Sequence, residues 1–150
     1  MAKKRQQYKP RAFESKGKRK KKSGKEVADT FAMVFLTMLE SPAYKDLTTR
    51  QQALYIWIKA QLCGADRHPR IDYPEQTYPE YEEIRKDTSF YFSWANALET
   101  GLYTKSMQKN FSCDMQALKN HGLIDIVMNG KAHRKRTVYK YSSEWQKWNI

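Results

Sequence analysis

The sequence lacks the segments that direct a chain into or across a membrane. No apolar signal-peptide core follows the start, and no stretch approaches the roughly 18 apolar residues of a membrane span. The two cysteines, Cys63 and Cys113, could form one disulfide, but nothing else in the sequence indicates secretion. We therefore expect a cytoplasmic protein with reduced thiols and no membrane partner.

Sequence motifs for catalysis and for metal binding are also missing. The chain contains no Gly-rich phosphate loop, no GxSxG nucleophile elbow and no HExxH zinc motif. Neither cysteine has a histidine at the spacing of a zinc-finger pair. Carboxylates gather between residues 75 and 87, but they lie beside prolines, with no second acidic group to complete a Mg²⁺ site. We predict that the protein is not an enzyme and holds no metal or cofactor.

Acidic residues are scarce at both ends of this chain, whose formal net charge is +12. Residues 1–25 contain 12 Lys or Arg residues and one acid, and residues 105–150 contain nine basic residues and three acids. Residues 26–104 are acidic, with seven basic and 12 acidic side chains. A polyanionic partner is therefore expected to contact the two ends.

The first basic segment, residues 1–25, has too few apolar side chains to form a core, so we predict that it is a disordered tail. Such tails commonly follow a nucleic-acid backbone. The residues predicted to do so are Lys18, Arg19, Lys20, Lys21 and Lys22. Other interpretations are a nuclear-import signal, attraction to an acidic membrane surface, or simple solubilisation.

An amphipathic helix is predicted to begin after Thr104, its N-cap, and to end at Gly122, which adopts the left-handed conformation at little cost. One side is apolar, at the spacing of a single helical face: Met107, Phe111, Met115 and Leu118. The other side, which includes Asn120, carries no acid. The residues predicted to meet the bases of DNA are Lys105, Gln108, Lys109, Ser112, Gln116 and Lys119.

A basic β-hairpin is predicted after this helix. Leu123–Met128 is apolar, Asn129-Gly130 is a strong hairpin signal, and Arg136–Tyr141 alternates like a half-buried strand. The tip would contact phosphates or the minor groove through Lys131, His133, Arg134, Lys135 and Arg136. Each feature alone is more often ordinary solvated surface. A helix and a hairpin that are consecutive and both basic favour nucleic-acid binding.

Two helices and a long insert are predicted in the first half of the domain. Residues 27–40 predict an apolar helix, which is the candidate surface for a homodimer. Thr48 and Gln51 match a capping box and start a helix that is predicted to reach about residue 62. Residues 64–88 are rich in proline and acids. They predict either a functional loop or an insert that packs over the core.

Short elements are predicted between this insert and the basic helix, and again near residue 145. Phe90–Phe92 indicates a strand, Ser93 is a suitable N-cap for a helix that stops before Gly101, and Ser143 is a suitable cap for a last short helix. The predicted fold class is mainly α with a small antiparallel sheet (α+β). The predicted architecture is a winged helix-turn-helix domain over residues 26–150, preceded by the disordered tail.

Four stretches of this chain carry a family resemblance: SPAYKDLTTRQQALYIWIK (41–59), FYFSW (90–94), SMQKNFSCDMQALKNHGLIDIVMNGK (106–131) and TVYKYSSEWQKW (137–148). In them the chain resembles winged-helix DNA-binding proteins of Gram-positive plasmids and integrative or conjugative elements. It is also similar to the N-terminal winged helix of plasmid replication initiators. The resemblance implies sequence-specific binding of double-stranded DNA, association with the nucleoid, and a regulatory, replication or mobilisation role.

Two other functions fit the same sequence. A winged helix can act as a protein-interaction adaptor, and the acidic, tyrosine-rich middle could dock a partner in a replication or transfer complex. RNA binding, with the basic tail as the main contact, is the other alternative.

Overall fold

A computed structural model of the chain shows two compact units, Met1–Phe31 and Ala32–Ile150. It describes residues 18–20, 23–28, 32, 34–60, 89–130 and 137–149. The fold is mainly α-helical with small antiparallel sheets, which confirms the predicted α+β class. Within these described ranges, no helix is long and apolar enough to cross a membrane. The predicted insert at 64–88 lies outside them.

The first unit contains a short β-hairpin. β1 (Lys18–Lys20) pairs antiparallel with β2 (Glu26–Ala28), and the register places Lys20 opposite Glu26. Gly24, with a φ of 76°, supplies the left-handed position that the connection needs. The described part of the predicted tail comprises Lys18–Lys20 and residues 23–25, and the disorder predicted for residues 1–25 stays a prediction.

The helix predicted over residues 27–40 is wrong. Among its described residues, the beginning belongs to β2, and the helical part is α1 (Leu36–Leu39). The segment is rich in β-branched and aromatic residues, which favour extended backbone, and Phe35 is extended at a ψ of 139°. The predicted homodimer surface is therefore not one continuous helix, and the homodimer stays a prediction.

Helices α2 (Pro42–Lys45) and α3 (Thr49–Ala60) follow, and side-chain caps start both. The Ser41 hydroxyl accepts a hydrogen bond from the Tyr44 backbone N–H at 3.2 Å. The predicted capping box of α3 is confirmed. The Thr48 N–H donates to Gln51 Oε1 at 2.9 Å, and the Gln51 N–H donates to Thr48 Oγ1 at 3.4 Å.

The second half of the unit alternates short strands and helices. β3 (Ser89–Phe90) leads to α4 (Trp94–Glu99), a 3₁₀ turn (Lys105–Met107), α5 (Gln108–Asn120), β4 (Ile124–Met128), β5 (Val138–Tyr141) and a last 3₁₀ turn (Glu144–Lys147). The sheet order is β3-β5-β4, all antiparallel, so β5 is central. Its apolar side shares one core with the helices, and the fully buried side chains include Leu54, Ile58, Phe90, Leu118, Leu123, Ile124 and Val138.

The two strands of the β4–β5 hairpin lie within the predicted strand segments and end at the predicted residues. β4 ends at Met128 and β5 begins at Val138, so Asn129-Gly130 does not form a two-residue turn. The Gly130 N–H donates to Thr137 Oγ1 at 3.3 Å, across the base of the connection. The register shifts between Ile126 and Met128, so β4 carries a bulge there.

Candidate nucleic-acid interface

One side of helix α5 packs against the core, and the other side is exposed to solvent. Phe111, Met115 and Leu118 are buried in the core, and Met107 packs against it from the preceding 3₁₀ turn. The predicted apolar face of the helix is therefore confirmed. Thr104 precedes the 3₁₀ turn and not the α-helix, and its side chain makes no cap hydrogen bond. The predicted helix start is thus displaced to Gln108.

The exposed side of helix α5 and of the 3₁₀ turn before it is polar and carries no acid. All six predicted base-contacting residues are exposed on it, together with Asn120. We call this surface the polar face, and it consists of Lys105, Gln108, Lys109, Ser112, Gln116, Lys119 and Asn120. At about 100° per residue, these positions fall within roughly 120° of the helix circumference. The helix therefore presents three lysines and four uncharged hydrogen-bonding side chains in one direction.

Asp114, the one acid of α5, lies on the buried side and accepts four hydrogen bonds. Its Oδ2 accepts from Arg50 Nε at 2.6 Å and from the Tyr103 hydroxyl at 2.8 Å. Its Oδ1 accepts from Gln51 Nε2 at 3.0 Å and from an Arg50 guanidinium nitrogen at 3.3 Å. The guanidinium also lies 5.5 Å from the centre of the Tyr103 ring. This network ties α5 to the first turn of α3.

The electrostatics of this network favour one protonation state. Burial opposes ionisation of Asp114, but the hydrogen bonds from Arg50, Tyr103 and Gln51 outweigh it, so the pKa of the carboxyl lies below its usual value. Burial, and then the hydrogen bond to Asp114, raise the pKa of the Tyr103 phenol. The phenol therefore stays a donor and the carboxylate an acceptor. The network fixes the orientation of α5 and keeps its only negative charge away from the polar face.

The end of α5 is fixed by a Schellman motif. The Gly122 N–H donates to the Lys119 carbonyl at 2.9 Å, and the Leu123 N–H donates to the Leu118 carbonyl at 3.0 Å. Gly122 has a φ of 72°, as the sequence predicts for a helix-ending glycine. Its carbonyl accepts from the Trp145 N–H at 3.0 Å, so the last 3₁₀ turn closes over the helix end.

His121 joins three elements at that same end. Its Nδ1 lies 2.7 Å from the Ala117 carbonyl, so Nδ1 is the donor. Its Nε2 lies 2.8 Å from Asp46 Oδ2, and its ring stacks on Trp148 with the centroids 4.6 Å apart. His121 therefore acts here as a structural tie between α2, α5 and the last 3₁₀ turn.

The other predicted contact residues are only partly within the described structure. Lys18, Arg19 and Lys20 form β1, whereas Lys21 and Lys22 lie outside the described residues. The predicted tip of the wing also lies outside them, and it comprises Lys131, His133, Arg134, Lys135 and Arg136. Among the side chains that the structure describes, no three His, Cys, Asp or Glu residues gather as metal ligands would.

Sequence reasoning missed two features of this site. The Arg50–Asp114 bond left one weak signal, a single acid at the edge of the apolar stripe of a helix that otherwise has none. The hydrogen bond between Gln116 and Asn120 joins residues one helical turn apart, and that spacing could have indicated it.

Comparison of the chain with protein-family models, curated proteins and solved structures found no match.

Proposed function

We propose that residues 32–150 form a winged helix-turn-helix domain that binds double-stranded DNA, with α5 as its recognition helix. Among the described residues from α3 to β5, the order is helix, strand, helix, helix, strand, strand, and β3 pairs with β5. That connectivity supports a helix-turn-helix of α4 and α5 followed by a wing between β4 and β5. The family resemblance supports a role as a regulator, or as a replication or mobilisation accessory factor, of a mobile element.

The acid-free polar face of α5 is the observation that carries this proposal. A helix in the major groove needs positive charge for the phosphates and uncharged donors and acceptors for the base edges. Lys105 and Lys119 are 14 residues apart in number, which corresponds to about 21 Å of helix rise. Gln108, Ser112 and Gln116 lie between them. The opposite side of α5 is anchored in the core, so the polar face is free to enter a groove.

Salt-dependent binding of the full chain tests the proposal. Fluorescence anisotropy is measured with a labelled mixed-sequence duplex, a single strand and a structured RNA. We expect the duplex to bind most tightly, with an affinity that falls as salt rises. The double variant Lys109→Ala/Lys119→Ala should reduce the slope of log affinity against log salt by about 2, since each lysine contributes about one phosphate contact.

A control variant that loses the same number of positive charges distinguishes binding through the polar face from an effect of net charge alone. Lys45 and Lys147 are exposed and lie on other elements, α2 and the last 3₁₀ turn. Lys45→Ala/Lys147→Ala should leave the slope near that of the wild type. Equal losses in both double variants would show that α5 is not the contact surface. Absence of duplex binding at low salt would overturn the proposed function.

A second candidate function is protein docking, because Phe35 and Leu36 are consecutive large apolar residues that are each 66% exposed. A bound partner protein, or a second copy of the chain, would cover these two side chains. Sedimentation of the wild type and of Phe35→Ser/Leu36→Ser tests this. Self-association that the double variant abolishes supports docking, whereas a monomer at every concentration removes the homodimer.

A further inference from the structure

Two side chains of the polar face are already joined to each other. Gln116 Nε2 donates a hydrogen bond to Asn120 Oδ1 at 2.8 Å, and both side chains are exposed. They lie one helical turn apart, which corresponds to about 6 Å along the axis. The two amides therefore form one uncharged polar group on the surface of α5.

The hydrogen bond leaves a defined set of free positions. The pair still offers Gln116 Oε1 as an acceptor, one remaining N–H of Gln116, and two N–H groups of Asn120. It thus presents an acceptor beside donors. Ser112 is less available as a donor, because its hydroxyl donates to the Gln108 carbonyl of its own helix at 3.3 Å.

The four bases differ in what they show to such a pair in the major groove. Adenine presents an acceptor, N7, beside a donor, the N6 amino group. Guanine presents two acceptors and no donor, so Gln116 Oε1 would gain no hydrogen bond from it. Cytosine presents only a donor, and thymine an acceptor and a methyl group. Adenine is the one base whose own edge satisfies both an acceptor and a donor of the pair.

We propose that Gln116 and Asn120 together read an adenine in the major groove, so that the target site contains a required A·T pair. The inference rests on the proposed binding of duplex DNA through α5. The mutual hydrogen bond orders the two side chains before DNA arrives, which lowers the entropic cost of reading the base. Asn120 thereby joins the contact residues as a specificity determinant, while the lysines position the helix on the phosphates.

A base analogue tests this directly. The full chain first selects its preferred sites from a pool of randomised duplexes. Each adenine of the best selected duplex is then replaced in turn by 7-deazaadenine, which keeps base pairing but removes the N7 acceptor. At one position, we expect wild-type affinity to fall about tenfold, as for a lost base contact.

Two variants test whether this loss of affinity depends on the Gln116–Asn120 pair. In Gln116→Ala and in Asn120→Ala, the same replacement should cause little further loss, because neither variant keeps the hydrogen-bonded pair that positions a donor for N7. Gln146→Ala, an exposed glutamine on the last 3₁₀ turn, is the matched control and should keep the tenfold effect. Circular dichroism checks that each variant is folded.

The outcomes separate this inference from the proposed function. Duplex binding with no required adenine, or with a 7-deazaadenine effect that both variants retain, overturns the adenine reading and leaves DNA binding intact. Failure of the wild type to bind any duplex in the pool overturns both.

Discussion

Arg50 Nε lies 2.6 Å from Asp114 Oδ2, which joins α3 to α5 across 64 residues of chain. The two partners differ in exposure, since the Asp114 side chain is 3% exposed and that of Arg50 is 34% exposed. The buried carboxylate depends on its donors for solvation, whereas the guanidinium can still reach water. Removing Arg50 and removing Asp114 therefore destabilise the fold to different extents. The larger loss of stability is expected where the carboxylate stays buried without its donor.

Arg50→Ala should destabilise the protein by about 2–3 kcal/mol, because it leaves a buried carboxylate with only Tyr103 and Gln51 as donors. Urea unfolding followed by circular dichroism measures the change. Lys147→Ala is the control, since its ion pair with Glu144 joins two largely exposed side chains and should contribute little. Equal effects of the two substitutions would contradict a structural role for the Arg50 bond.

The contribution of Asp114 to the free energy of unfolding should depend on pH. Its folded pKa lies below its usual value of 3.8, so the folded state favours the ionised carboxylate more than the unfolded state does. The stabilisation is fully present above the unfolded pKa and is lost as the pH falls through the folded pKa. The stability difference between wild type and Asp114→Asn should therefore be constant near neutral pH and shrink below about pH 4. Urea titrations at a series of pH values measure it, and a constant difference throughout would refute it.

Gly122→Ala should be severely destabilising, by more than about 3 kcal/mol, because two costs combine. An added Cβ would lie 2.5 Å from the Trp145 backbone nitrogen, and the residue would keep a φ of 72°. Gly101→Ala is a matched control, since its φ is 76° but no atom lies within 4 Å of the added Cβ. It should cost about 1 kcal/mol, the strain of the left-handed backbone alone. Thermal unfolding compares the two, and similar losses would show that the close contact with Trp145 does not matter.

Ser93→Ala should cost about 1 kcal/mol through the start of α4. The Ser93 hydroxyl accepts from the Asn96 N–H at 3.3 Å, and Asn96 Oδ1 accepts in return from the Ser93 N–H at 3.0 Å. Ser143 also precedes a helical turn, but its side chain makes no cap hydrogen bond, contrary to the predicted cap. Ser143→Ala should accordingly change the unfolding midpoint little. The assignment of the Ser93 cap would be wrong if the two substitutions had the same effect.

Local chemistry made part of this fold predictable. The spacing of Phe111, Met115 and Leu118 determines which side of α5 is buried, and Gly122 determines where it ends, because both depend on neighbours in sequence. The Arg50–Asp114 bond has no such local cause and depends on tertiary packing. The apolar character of residues 27–40 was misleading for a related reason: hydrophobicity alone does not distinguish a helix from extended backbone.

The candidate site was predictable to a similar extent. The polar face follows from helical periodicity and charge, so its members could be named from the sequence. The Gly130–Thr137 hydrogen bond could not, because it joins residues on the two sides of the hairpin connection and has no signal in the neighbouring sequence.

The central strand of the sheet is also the last one that the ribosome makes. Among the described strands, β3 and β4 both pair with β5 and not with each other, so neither finds this partner until Tyr141 has been synthesised. The Phe90 ring is fully buried, and its ring contacts with Tyr139 and Tyr141 form only then. Helices can form within about a microsecond of their emergence, whereas pairing across this much chain is slower. Closure of the sheet is therefore a late step of biosynthesis, in which β5 completes the pairing with β3 and β4.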